Sequence, residues 1–174
     1  MPAPAIDTVR LHLRGHRLED LEAYTAMWGD PRVTRHIGGR PFTAEECWQR
    51  LMRNVGHWEL LGFGYWVLHD ADTGRLVGEV GFADLRRDLE PPLGDDPEMG
   101  WVLAPWAHGR GLATEAVNAC LAWAAERWGP RRAVCIIDPE NVASLRVAEK
   151  ADFRELVRTT YHGSPTVVME RPAR

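Results

Sequence analysis

Long apolar runs are absent from this 174-residue sequence, and so is any block of basic residues. A membrane-spanning helix needs about 20 consecutive apolar residues, and a secretory signal needs a basic segment before an apolar one. Neither pattern is present at the start, Met1 to Asp7. The 21 basic residues are outnumbered by 25 acidic ones, for a net charge of −4. We therefore expect a cytoplasmic protein that binds neither nucleic acid nor membrane.

Cysteine is scarce, with three residues at Cys47, Cys120 and Cys135. Their odd number and wide spacing in apolar stretches predict buried free thiols rather than disulfides. His12 and His16 are four residues apart, but the surrounding residues alternate as in a strand and do not form a metal-ligand pattern. No metal site is expected.

Length and composition favour one globular domain over residues 1–174. Hydrophobic residues make up 45% of the chain and charged residues 26%, which is close to the globular average. A chain of this length buries enough surface for a hydrophobic core without disulfides or a structural metal.

Hydrophobic periodicity predicts a mixed αβ chain in the order βααβββαβαββ. Strands are predicted over 9–13, 63–68, 76–82, 98–103, 133–137, 153–161 and 166–169, helices over 18–28, 43–60, 109–128 and 141–150, and loops over 32–41 and 89–97. The strand, helix and strand between residues 98 and 137 predict a right-handed βαβ unit. The whole order implies a mixed sheet with helices on both faces.

A glycine-containing loop precedes the longest predicted helix. Gly109 and Gly111 let the backbone approach an anion closely, and the first turn of a helix offers unpaired N–H groups to a phosphate. No Gly-Lys pair is present for a Walker loop. Thr114 stands where a dinucleotide fingerprint needs its third glycine, although Asp138 is placed to imitate the ribose-binding acid. Taken alone, the two glycines can also belong to an ordinary turn that binds no anion.

The sequence resembles the GNAT acetyltransferases, most closely their RimJ/RimL branch. The resemblance covers nearly the whole chain and has four ordered parts. They are Asp30 to Glu46, Gly64 to Gly78, Glu98-Met99-Gly100-Trp101-Val102-Leu103 with His108 to Ala116, and Asn141 to Phe153. It implies the GNAT fold, a twisted and mostly antiparallel sheet of about seven strands around a βαβ cofactor-binding unit.

The resemblance also implies an acetyl-CoA site. The pyrophosphate would be held by seven consecutive backbone amides, those of His108, Gly109, Arg110, Gly111, Leu112, Ala113 and Thr114. The strand edge at Val102 and Leu103 would pair with the pantetheine amides, as an added strand does. Asn141 would hydrogen-bond the pantetheine arm, and Phe153 would pack beneath it.

Acyl transfer needs a base for the amine, a donor for the oxyanion and an acid for the leaving thiolate. Glu98 and Glu79 are the candidate bases, each with the alternative of a solvated or salt-bridged carboxylate. A backbone N–H near Val102 or Leu103 is the candidate oxyanion donor. Many relatives place a tyrosine acid five residues before the position of Phe153, but Ala148 stands there, so Ser144 is the candidate partner of the thiol.

The resemblance implies transfer of an acetyl group to a primary amine, such as a protein N-terminus, an aminoglycoside or a polyamine. The net charge of −4 mildly favours a cationic acceptor. The acceptor pocket is predicted from the loop at residues 29–41, the second predicted helix with Trp48 and Trp58, and the turn at Tyr161 and His162. The alternative is a non-catalytic acyl-CoA-binding sensor or subunit. The last two predicted strands, 153–161 and 166–169, offer an exposed sheet edge, so the protein can be a monomer or a homodimer.

Overall fold

The computed structural model describes residues 2–173. Its strands are β1 (Ile6–Asp7), β2 (Leu11–Arg14), β3 (Tyr65–Asp70), β4 (Leu76–Ala83), β5 (Glu98–Leu103), β6 (Ala133–Ile137), β7 (Arg154–Tyr161) and β8 (Ser164–Arg171). Its helices are α1 (Leu21–Trp28), α2 (Pro31–Thr34), α3 (Ala44–Leu61), α4 (Leu112–Trp128) and α5 (Val142–Lys150). Short 3-10 turns cover Leu18–Asp20 and Pro105–Ala107.

The strands form one sheet in the order β1-β2-β3-β4-β5-β6-β8-β7. Every neighbouring pair is antiparallel except β5 and β6, which are joined through α4 and pair in parallel. The predicted mixed, mostly antiparallel sheet is therefore confirmed. The eighth strand, β1, was not predicted because it has only two residues, which pair with Leu13 and His12.

Helices cover both faces of the sheet, as predicted. In β3, Trp66 and Leu68 pack in the core that includes the buried residues of α4. Val67 points the other way and packs with residues of α1 and α3. This alternation is the two-residue period of a strand buried on both faces.

Local signals explain where two of the helices begin. The amide of Glu46 donates to the Thr43 hydroxyl at 3.2 Å and the Glu46 carboxylate accepts from the Thr43 amide at 2.8 Å, so the predicted capping box opens α3. The loop predicted over 32–41 is partly wrong, because α2 occupies its start. Asp30 accepts from the Arg32 amide at 2.8 Å and Pro31 occupies the first turn, which is a helix-start signal.

The two parallel strands separate soon after they meet. Their ladder contains a single register pair, Glu98 with Val134, next to a hydrogen bond from the Val134 amide to the Pro97 carbonyl at 3.2 Å. Beyond that pair, β5 continues to Leu103 and β6 continues to Ile137, but the two strands no longer pair with each other. A wedge therefore opens between the carboxyl ends of β5 and β6.

The prediction of buried free cysteines is confirmed. The three cysteines are free and buried, and burial raises the pKa of the Cys120 and Cys135 thiols. Asp152 stands where the resembled family has glycine and adopts the left-handed conformation, with φ of 66°, which aspartate tolerates better than most residues. Among the described residues, no helix has both the length and the apolar character needed to cross a membrane.

Candidate active site

A cavity of about 530 Å³ occupies the wedge between β5 and β6. Four of the predicted site residues line it: Glu98, Val102, Asn141 and Ser144. The side chains of Leu103 and Phe153 are instead buried in the hydrophobic core on the α4 face. The structure thus brings together residues from β5, from the N-terminus of α5 and from the loop before α5.

The backbone of β5 presents alternate residues to the wedge. The Ala104 amide donates to the Val77 carbonyl at 2.8 Å, which directs the backbone groups of Val102 toward β4. The groups of Trp101 and Leu103 then face the opening. This corrects the prediction that Val102 contributes to the free strand edge.

His108 modifies that edge further. Its Nε2 lies 2.8 Å from the Leu103 carbonyl oxygen, and this hydrogen bond occupies the acceptor. The Leu103 N–H, on the same side of the strand, is left as a donor toward the wedge. Of the two predicted oxyanion donors, the geometry therefore favours Leu103.

The loop before α4 has the predicted form of an anion seat, with one correction. The His108 amide donates to the Pro105 carbonyl at 3.2 Å and is therefore not free. Gly109 and Gly111 have φ of 73° and 76°, and Gly111 is the N-cap of α4. The amides of the first helical turn have no intrahelical acceptor. The candidate anion seat is therefore reduced to six residues, Gly109, Arg110, Gly111, Leu112, Ala113 and Thr114.

Hydrogen bonds from the turn between β1 and β2 fix this loop, and no local sequence signal predicts them. Glu115, in the first turn of α4, accepts from the Thr8 hydroxyl at 2.7 Å and from the Arg10 amide at 2.9 Å. The Arg10 guanidinium donates to the Arg110 carbonyl at 2.8 Å. The turn between β1 and β2 thus fixes a loop about 100 residues away in sequence.

Asn141 and Ser144 are adjacent at the start of α5. The Asn141 side-chain oxygen accepts from the Ser144 amide at 3.2 Å, so Asn141 is an N-cap and also lines the cavity. Ser144 lies one turn into the helix at the same cavity wall. Both polar side chains can therefore reach a molecule in the wedge.

Glu98, a candidate base, lies at the start of β5 and is held by an arginine. Arg87 donates to its two carboxylate oxygens at 2.5 and 2.6 Å. The Arg87 guanidinium also lies 5.1 Å from the ring centre of Tyr161. All three residues line the cavity, so the carboxylate is oriented and still adjoins the open space.

Glu79, the second candidate base, does not line the cavity. It is fully buried and accepts hydrogen bonds from Tyr24 at 2.7 Å, from Asn54 at 2.9 Å and from Arg50 at 3.0 Å. Burial alone would raise its pKa, but the charge of Arg50 and the hydrogen bonds from His16 and Tyr24 outweigh burial and lower the pKa to about 2. This geometry gives Glu79 the role of holding Arg50.

Tyr65 is a cavity residue that the sequence reasoning missed. Its hydroxyl approaches β5 so closely that a Cβ at Gly100 would lie 2.0 Å from the oxygen, so only glycine fits at that position. Within residues 2–173 the hydroxyl has no hydrogen-bond partner, and it faces the cavity. Burial and the charge of Glu98 raise the pKa of Tyr65, so the phenol stays protonated.

Of the residues predicted for the acceptor pocket, residues 35–39 and the turn at Tyr161 and His162 line the cavity, and so does Arg50 of α3. The two predicted tryptophans do not take part. Trp48 is an exposed residue, and Trp58 is buried, with its ring centre 4.6 Å from that of Trp66 in the core. Helical spacing alone did not separate core tryptophans from cavity residues.

Comparisons with known proteins agree with this architecture. The acetyltransferase (GNAT) domain model matches residues 10–154. The Bacillus subtilis protein YkkB is 30% identical over 170 residues, which cover 95% of this chain and 92% of YkkB. A GnaT-family acetyltransferase from Bordetella pertussis has 33% identity and a TM-score of 0.85, with 97% of this chain and 99% of that chain covered.

The structure of RimL, a ribosomal L7/L12 alpha-N-protein acetyltransferase in complex with coenzyme A, has a TM-score of 0.79 and covers 98% of both chains. Its sequence identity is 16%, so the likeness concerns the fold.

Proposed function

This chain belongs to the acetyltransferase (GNAT) family and is an N-acetyltransferase, and from that premise we propose that it moves an acetyl group from acetyl-CoA to a primary amine. The transfer is direct, in a ternary complex of enzyme, acetyl-CoA and amine. The observation that carries the proposal is the wedge between β5 and β6, because one cavity there joins an open strand edge to Glu98 and Ser144.

The residues present fit acetyl-CoA. A Cβ at Gly109 would meet nothing within 4 Å, so the loop leaves room for a pyrophosphate against the first-turn amides of α4. The backbone of Trp101 faces the wedge and can pair with pantetheine amides as an added strand does. Asn141 lies across the same opening. When bound, acetyl-CoA supplies the thioester carbon that the amine attacks.

Glu98 is the base in this proposal. A protonated amine must lose its proton before attack, and the Glu98 carboxylate accepts that proton, directly or through a water. The two hydrogen bonds from Arg87 hold the carboxylate in one orientation. Glu79 is not proposed for this step because it is enclosed by its own hydrogen-bond partners.

One backbone donor serves the oxyanion, and two side-chain donors serve the leaving thiolate. As the nitrogen–carbon bond forms, the Leu103 N–H donates to the developing oxyanion, and a backbone donor fixed in a strand needs little reorganisation. As the carbon–sulfur bond breaks, the Ser144 hydroxyl donates a hydrogen bond to the departing thiolate, which takes up the second proton of the attacking nitrogen and leaves as the thiol. Tyr65, protonated and facing the same cavity, is a second donor for this step.

Two measurements test this function. Acetyl-CoA at about 100 times its Kd should stabilise the native protein by about 2.7 kcal/mol, seen as a higher Tm, whereas NAD and ATP should not. Thiol release is then followed with a panel of primary amines. Tight acetyl-CoA binding with no release for any amine would favour a non-catalytic acyl-CoA-binding module instead.

A further inference from the structure

Arg50 is a cation of the cavity wall that a carboxylate and an aromatic ring hold in place. Its Nε donates to Glu79 at 3.0 Å, and its guanidinium lies 4.0 Å from the ring centre of Trp28. Trp28 in turn stacks on Phe42 with ring centres 4.8 Å apart. A guanidinium that a carboxylate and an aromatic face already fix has little conformational freedom left to lose when it binds a ligand.

The outer part of the same guanidinium is unused. Among residues 2–173, only Glu79 accepts a hydrogen bond from the Arg50 guanidinium, and it does so from Nε. The side chain of Arg50 is 18% exposed and lines the cavity. Because arginine cannot lose its charge in a protein, its terminal N–H groups present a fixed positive charge to the cavity.

No other carboxylate in the cavity wall binds the terminal nitrogens of Arg50. Three arginines line the cavity, Arg35, Arg50 and Arg87, against two carboxylates, Glu98 and Asp138. Both carboxylates already have cavity partners, because Arg87 binds Glu98 and His36 lies 2.9 Å from Asp138. With Glu79 behind Arg50, the three arginines are matched by three carboxylates, so Arg50 offers the cavity its unused terminal N–H donors rather than an excess of charge.

We propose that Arg50 binds a carboxylate group of the acceptor, so that the substrate is a small amine that also carries a carboxylate. This inference rests on the proposed acetyl transfer. A guanidinium fork matches a planar carboxylate and donates two parallel hydrogen bonds to it. A cavity of about 530 Å³ has the size typical of small-molecule sites.

The test compares each of the twenty amino acids with its carboxamide and with the amine that lacks the carboxyl group. Thiol release measures turnover, and the Tm in the presence of coenzyme A measures binding independently. We expect at least one acid to exceed its amide roughly 10- to 100-fold in kcat/KM, the usual effect of hydrogen bonds to a charged group. The same acid should raise the Tm, and its amide should not.

The variants examine Arg50 itself. Arg50→Gln alone leaves Glu79 buried and unpaired, so the double variant Arg50→Gln/Glu79→Gln is measured beside it. Both should lose the preference for acid over amide and keep the KM for acetyl-CoA. Arg53→Gln, one turn further along α3 at an exposed position outside the cavity, is the matched control and should keep the preference.

The outcomes separate the two proposals. Equal use of acids and amides, or an unchanged preference without Arg50, overturns the carboxylate site while acetyl transfer stands. Stabilisation by acids but not amides, without turnover of any amine, supports the carboxylate site and overturns the transfer. Neither turnover nor carboxylate-dependent stabilisation overturns both.

Discussion

Replacement of Glu79 by glutamine should destabilise the protein strongly. Glu79 is fully buried, and its partner Arg50 is mostly buried, so the variant leaves an arginine charge without its carboxylate. Breaking a buried ion pair by removing one partner costs about 3–5 kcal/mol. The pKa of Glu79, lowered from 4.5 to about 2, gives an independent figure of about 3 kcal/mol of stability at neutral pH.

The pH dependence of this loss has a definite sign. A carboxylate with a lowered pKa stabilises the folded state above its ordinary pKa of 4.5, and that stabilisation is lost as the pH falls toward about 2. The free-energy difference between the wild type and Glu79→Gln should therefore fall from about 3 kcal/mol at pH 7 to about 2 kcal/mol at pH 3.5.

Urea unfolding at both pH values measures this difference. Glu155→Gln is the control, because Glu155 pairs with Arg158 at 2.9 Å in an exposed position, where ion pairs contribute little. That variant should unfold like the wild type. A loss below about 1 kcal/mol for Glu79→Gln at pH 7, or a loss that grows as the pH falls, would refute the reasoning.

Three further predictions concern the site. Gly109→Glu should abolish the rise in Tm with acetyl-CoA because a carboxylate would enter the anion seat, whereas Gly129→Glu, at a glycine with similar positive φ and open space after the other end of α4, should keep it. Ser144→Ala should lower kcat roughly 10- to 100-fold at unchanged KM for acetyl-CoA; unchanged kcat would remove Ser144 from the mechanism. Gly100→Ala should cost about 1–3 kcal/mol in urea unfolding, because its Cβ would lie 2.0 Å from the Tyr65 hydroxyl oxygen; wild-type stability would contradict that contact.

Most of the element pattern could be predicted because most elements carry a local signal. Thr43 and Glu46 form a capping box three residues apart, and Gly109 and Gly111 precede a strongly apolar helix. The two-residue strand β1 has no such signal, since its pairing depends on residues Leu13 and His12. Short elements of this kind form through tertiary contacts rather than through propensity.

The candidate site was predictable only in part, for a related reason. Asn141, Ser144 and the glycine loop belong to short continuous motifs. Tyr65 and Arg50 instead enter the cavity from β3 and α3, where a tyrosine in a strand and an arginine on a helix look like ordinary core and surface residues. Backbone detail was also beyond the sequence, because the His108 amide is engaged by a 3-10 turn.

The Arg50–Glu79 pair is better explained by the cavity than by stability. Well-packed apolar residues in place of a buried ion pair are often as stable or more stable, so the fold alone does not require these charges. Glu79 is satisfied entirely by protein groups, whereas Arg50 keeps donors turned toward the cavity. Because of this asymmetry, Glu79 positions the Arg50 guanidinium, and Arg50 is the residue that contacts the acceptor. The stability lost on removing one partner is then the consequence of holding a cation where a carboxylate of the acceptor can reach it.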